Sequence, residues 1–151
     1  QDWVIPPYQA IITGAVPSSA SSETPQSKVL SRFLSAETAD HRDLFKLVMS
    51  VEEGPWLVRR AVPATPAIIG RRVTMNTFYV PGDHLEIVID PTSTKAEHLA
   101  TSVVMRSVSG LVVNMGSLIE SRQEDELPES FLTCVMVRNL NPSKLFFADV
   151  R

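Results

Sequence analysis

Apolar positions along this chain change rhythm several times, and each change predicts an element. The opening DWVIPPYQAIITGAV reads as an extended entry broken at Pro6-Pro7, then a strand from about Tyr8 to Val16, because β-branched residues fit a pleated surface and proline interrupts one. PSSASSETPQS follows, a polar run with five serines and two prolines that predicts a surface loop. Thr24 then offers an N-cap oxygen and Pro25 a first helical position, while Val29, Leu30, Phe33 and Leu34 share one face, so the spacing predicts a short helix over Pro25 to Ser35.

Beyond it the period falls to two. Phe45, Leu47, Met49 and Val51 alternate on one face, and with EEGP and WLVRRAV this predicts a hairpin whose second strand carries Trp56, Val58 and Val62. AIIGRRVTMNTFYV and HLEIVID form a second strand pair around the turn PGD. The period then lengthens. Thr94 and Glu97 have capping-box spacing, and Leu99, Val103, Val104, Val108, Leu111, Met115, Leu118 and Ile119 recur every three or four residues, predicting one helix from about Thr94 to Arg122. At 1.5 Å per residue such a rod spans on the order of 40 Å. Its serines and glycines lower intrinsic helicity, so it requires a sheet beneath it. Glu120, Glu124, Asp125 and Glu126 crowd its carboxyl end, where the helix dipole disfavours anions, and Pro128 blocks continuation. TCVMVRNL predicts a final strand; the type of KLFFADV stays open.

The expected class is therefore α+β, a curved antiparallel sheet packed on one long amphipathic helix at about 94–122. With 151 residues the chain fits a single domain over 1–151, and 44% hydrophobic against 21% charged residues is the balance of a folding chain. A net charge of −3 gives no general attraction for nucleic acid, which is not an expected partner. Arg106 and Asn114 interrupt any apolar run long enough to span a bilayer. One cysteine, Cys134, excludes an internal disulfide framework, and a reducing, cytoplasmic setting fits it. The chain opens on Gln1 without a charged-then-apolar leader, so upstream sequence is expected.

One set of residues carries a resemblance. Gly54, Trp56 and Val58, Thr65-Pro66 with Ile69-Gly70, Leu85-Glu86 with Asp90, Leu111-Val112-Val113 with Leu118-Ile119, and Glu126-Leu127-Pro128-Glu129 agree in order and spacing with the C-terminal domain of plant enhanced disease resistance 2 proteins and their protist relatives, which the chain resembles from about Ile5 to Leu140. The resemblance implies a chain lacking the first strands of the family domain. It also implies work at membranes, since in multidomain relatives the module follows pleckstrin-homology and START domains; a START-like helix grip is the specific fold to look for.

Catalytic signatures are missing: there is no Gly-x-Ser-x-Gly elbow, phosphate loop, dinucleotide fingerprint or His-Glu-x-x-His helix, and no cofactor or metal is expected. His84 and Glu86 share a strand face near Asp83, His98 falls in a first helical turn, and Cys134 reads as a small core residue. Arg59-Arg60 and Arg71-Arg72 stand out, because neighbouring strand residues point to opposite faces and each pair sends one guanidinium toward an apolar side or a rim, where a lipid phosphate or an internal carboxylate such as Glu86 or Asp90 would satisfy it. Met105 and Met115, with Met49, Met75 and Met136, offer adaptable apolar surface, in a ligand cavity or as ordinary core. The expected function is a non-enzymatic module that binds lipid or another apolar ligand, or docks peripherally on an anionic membrane, through Arg59, Arg60, Arg71, Arg72, Met105 and Met115. The alternative is a structural or protein-interaction domain of a larger assembly, bound by a protein partner at an open sheet edge.

Overall fold

The computed structural model describes residues 10–15, 24–62 and 64–141. The KLFFADV segment, Pro6-Pro7 and most of the serine-rich run lie outside the described residues. Within them the first helix forms as its capping residues dictate. Thr24 Oγ1 accepts from the Ser27 amide at 3.1 Å, Pro25 needs no amide partner at the first turn, and α1 runs Pro25–Ser35. Its apolar face drives Val29 and Phe33 inward. A single turn, α2 (Thr38–His41), leads to β1 (Phe45–Glu53).

β1 does not turn into a second strand. Gly54 adopts φ +146°, Pro55 caps the next element, and its carbonyl accepts from the Val58 and Arg59 amides at 3.0 and 3.2 Å, so WLVRRA becomes helix α3 (Trp56–Ala61). The predicted hairpin over these residues is thus corrected: proline at a helix start and a run of Leu, Arg and Ala outweigh the alternation of Trp56, Val58 and Val62. After α3 come β2 (Ala67–Ile68) and a 3₁₀ turn over Ile69–Arg71. The break in the predicted AIIGRRV strand has a steric cause. A Cβ on Gly70 would lie 2.5 Å from the Arg42 carbonyl oxygen, so only glycine allows this approach. β3 (Thr74–Val80) and β4 (His84–Asp90) then form the expected hairpin around Pro81 and Gly82, in register from Thr74↔Asp90 to Val80↔His84.

The long helix is the main correction. α4 covers Lys95–Ser107, 13 residues, and is followed by a 3₁₀ turn over Val108–Gly110. Val112–Ile119 is strand β5, with β1 antiparallel on one side (Phe45↔Ile119 to Val51↔Val113) and β6 (Phe131–Arg138) antiparallel on the other. Two backbone ladders are available to this segment, and a strand buried between neighbours reads as a nearly continuous apolar run whose spacing also fits a helix. No described helix is longer than α4, so one rod gripped by a sheet is not the arrangement found. Ala10–Ala15, the described part of the predicted Tyr8–Val16 strand, pairs with no described strand and is exposed, Ile11 at 77%.

The architecture is α+β: a four-stranded antiparallel sheet ordered β2-β1-β5-β6, a separate β3-β4 hairpin, and helices against them. The core lies where α1 meets both. Val29 and Phe33 of α1 pack with Leu44, Phe45, Met75 and Ile119, and Leu85, Ile87 and Ile89 of the hairpin close over them. Phe33 is the centre, fully buried and stacked on the His41 ring with centroids 4.3 Å apart. A Phe33→Ala substitution is expected to cost about 3–5 kcal/mol, seen as a lower urea midpoint, whereas the half-buried Leu34→Ala costs clearly less.

Candidate functional site

Buried polar groups come first, since each must be accounted for before any group can be assigned to a ligand. His41 is buried between α1 and the hairpin: Nε2 lies 2.7 Å from the Phe33 carbonyl and Nδ1 2.7 Å from Thr77 Oγ1. A carbonyl only accepts, so Nε2 donates, and in the neutral ring Nδ1 accepts from the Thr77 hydroxyl. Both nitrogens are engaged in holding the core.

A second polar cluster fastens the loop between β5 and β6. Arg32 of α1 donates from Nε and Nη2 to Glu126 at 2.5 and 2.9 Å and from Nη2 to the Glu120 carbonyl at 2.7 Å. Glu126, buried on a 3₁₀ turn over Glu124–Glu126, also accepts from the Arg122 amide at 2.7 Å. Arg32 beside it, helped by that amide and against burial, holds the Glu126 carboxyl down at about 2. Nearby, Lys46 Nζ donates to both Glu129 oxygens at 2.7 and 2.8 Å and pairs with Glu120. Burial works against charge on Lys46 and Glu129 alike, but their partners prevail: Glu120 and Glu129 raise the lysine, and Lys46 with the Ser121 amide lowers the Glu129 carboxylate. Sequence reading missed these roles for His41 and Glu126; the only hint was the Glu-Leu-Pro-Glu run, noticed for its resemblance.

The residues singled out for ligand binding are placed on four separate elements. Arg59 and Arg60 lie on α3, so neither sits on a strand and the two-face expectation is withdrawn for them. Arg71 ends the 3₁₀ turn, and its Nε donates to Asp43 at 2.7 Å, which holds that carboxyl low; this guanidinium is engaged internally. Arg72 follows in an αR conformation, exposed. Met105 on α4 and Met115 on β5 are half-buried, and Met115 pairs across the sheet with Met49 and Val135. The leading surface hollow is open and lined by Thr92, Ser93, Thr94, Lys95, His98 and Leu99, with no methionine. Cys134 is exposed on β6, not in the core, because β6 ends the sheet. His84 is exposed beside Asp83 at 3.1 Å. No group of three His, Cys, Asp or Glu among the described residues is placed to hold a metal.

α3 is one of the described surfaces that expose large apolar side chains, and it sets them beside cations. Its Val58, 1% exposed, is the plug that fixes it against β1. At about 100° per residue, Trp56 and Arg60 stack on the side opposite Val58 and Leu57 and Arg59 flank them. Trp56 is 67% exposed and Leu57 52%, and Leu99 on the neighbouring α4 is 68% exposed. The side chains of Arg59 and Arg60 are exposed and have no ion-pair or hydrogen-bond partner among the described residues. An indole, a leucine and two guanidiniums thus share a six-residue helix.

The family model of Protein ENHANCED DISEASE RESISTANCE 2, C-terminal, matches residues 7–141. A protein from Arabidopsis thaliana described as Protein ENHANCED DISEASE RESISTANCE 2-like is 31% identical over 113 residues, which are 74% of this chain and 15% of that relative. The chain therefore spans about 15% of the length of this curated relative. No solved structure matches.

The Glu126 shift predicts a pH dependence. A carboxyl held at about 2 when folded but near 4.5 when free stabilises the fold above the free value and loses that contribution as pH falls through 4.5 toward 2. Urea midpoints measured over this window should fall for the native chain, and Glu126→Gln should flatten the decline while lowering the midpoint at neutral pH, because Arg32 is left without its carboxylate.

Proposed function

The chain belongs to the family of the C-terminal domain of ENHANCED DISEASE RESISTANCE 2 proteins, and we propose that it is a non-enzymatic module that docks on anionic membrane surfaces through α3. The observation that carries this is the exposed Trp56 and Leu57 beside Arg59 and Arg60, whose guanidiniums meet no carboxylate among the described residues. Tryptophan favours the depth of lipid headgroups, and arginine pairs with phosphate through parallel hydrogen bonds. Each cation near an anionic leaflet contributes about 1 kcal/mol, and each inserted apolar side chain about 1.5–3 kcal/mol at full burial.

Those terms outweigh the general repulsion of a chain with net charge −3 only at low salt and short range, so binding through α3 alone is weak and reversible. No described helix is long and apolar enough to cross a membrane, so the contact is with the surface. The enclosed form of lipid binding, a ligand held between a sheet and one long helix as in START-like carriers, loses its geometric basis because α4 stops at Ser107. A second reading, a protein-interaction domain, draws support from one feature, the open edge of β6.

Vesicle co-sedimentation tests the membrane proposal. Phosphatidylserine-containing vesicles should retain the chain at low salt and release it as salt rises, and pure phosphatidylcholine should bind poorly. Trp56→Ala should weaken retention roughly tenfold, the effect of about 1.4 kcal/mol, and Arg59→Glu with Arg60→Glu should remove it. In a Trp3→Phe background, Trp56 emission should shift to the blue on binding. Equal binding to neutral vesicles, or none at low salt, overturns the proposal.

A further inference from the structure

Threonine followed by proline occurs twice in the chain, at Thr24-Pro25 and Thr65-Pro66, and the fold uses the two dipeptides differently. At the first, Thr24 is the N-cap of α1: its half-buried Oγ1 accepts from the Ser27 amide at 3.1 Å, and Pro25 opens the helix. At the second, Pro66 precedes β2, where its missing N–H costs no ladder bond, so the proline has a structural use. The Thr65 side chain has none. It is exposed between exposed Ala64 and Pro66 in the bend from α3 to β2, and its hydroxyl meets no hydrogen-bond partner among the described residues.

Both flanks of that bend are lightly held. β2 is two residues long, lies at the end of the sheet opposite β6, and joins β1 through Lys46↔Ile68 and Leu47↔Ala67. α3 has six residues, and Val58 is its one buried side chain. Segments with so few buried contacts open locally at small cost, and the residue before a proline already favours extended backbone. An enzyme that takes its substrate as an extended strand can therefore reach Thr65 without disturbing β5 or the core around Phe33. Arg59 and Arg60 stand just upstream of the same bend. The step from Arg60 to Thr65 spans at most about 18 Å between Cα atoms, inside the screening length of about 30 Å at 0.01 M salt.

We infer that Thr65 is a phosphorylation site for a proline-directed protein kinase and that its phosphate switches off membrane docking by α3. The step is a phosphoryl transfer: Thr65 Oγ1 attacks the γ-phosphorus of Mg-ATP, the bond from that phosphorus to the β,γ-bridging oxygen breaks, ADP leaves, and the hydroxyl proton passes to the kinase's catalytic carboxylate. The product carries about −1.5 to −2 charge at pH 7. Arg59 and Arg60 bring two positive charges to an anionic leaflet, so the modified segment brings close to none, and the chain as a whole moves from −3 to about −5. The new phosphate also competes with lipid phosphate for the same guanidiniums, because both present the oxygens that arginine binds in parallel pairs.

This deepens the membrane reading and rests on it. Incubation of the native chain with a purified mitogen-activated protein kinase and Mg-ATP should add one phosphate, mapped by mass spectrometry to Thr65 and not to Thr24, and Thr65→Val should abolish its incorporation. The phosphorylated chain should bind phosphatidylserine-containing vesicles at low salt at least about tenfold more weakly than the untreated chain, the effect of about two cations at an anionic leaflet, with unchanged far-UV circular dichroism. Thr65→Glu should weaken binding severalfold and Thr65→Gln should not, which separates added charge from the lost hydroxyl; if the phosphorylated chain loses helix, this pair decides. Phosphate on Thr24 alone, or none on the folded chain, overturns the site. Equal vesicle binding before and after phosphorylation, or equal loss in Thr65→Glu and Thr65→Gln, overturns the switch while docking through α3 stands. Absence of binding by the untreated chain overturns the docking reading and the switch with it.

Discussion

Everything in the sheet depends on β5 having both of its backbone edges satisfied. A strand between two neighbours must meet β1 and β6 in register at once, and a slip of one residue on either side would turn Ile119 out of the core and a polar group in. Val112, Gly116, Ser117, Leu118 and Ile119 are buried as a result, and Ser117 settles its hydroxyl on Thr133 of β6 at 2.7 Å. At one end β5 hands Ile119 to Phe33 and Phe45; at the other, Leu111 accepts from the Asn139 amide at 2.7 Å as β6 leaves the sheet. The strand joins α1, the hairpin and both halves of the sheet into one core.

Its exit requires polar closure. The chain from Glu120 to Glu129 must return to begin β6, and it carries acidic groups past the apolar end of the sheet. Arg32 and Lys46 supply the matching cations from α1 and β1, so Glu126 and Glu129 are buried or half-buried without an unanswered charge. Among the described residues no buried side-chain polar atom lacks a partner. Among the described residues Arg32 and Arg71 are engaged with carboxylates, and Arg59, Arg60 and Arg72 are not.

Local chemistry was legible in the sequence, and long-range pairing was not. α1 could be read from Thr24, Pro25 and its apolar face, and the β3-β4 hairpin from its proline-glycine turn, because every determinant lies within a few residues. The three- and four-residue spacing of Leu111, Met115 and Leu118 is compatible with both helix and strand, and only the ladders to β1 and β6, set by pairing beyond the segment itself, decide between them. The burial of Glu126 has no local signal, because its partner Arg32 lies 94 residues away. Of the proposed ligand residues, Arg59 and Arg60 proved to be exposed cations, although on a helix and not a strand; Arg71 is claimed by Asp43, whose presence beside it no spacing rule announces.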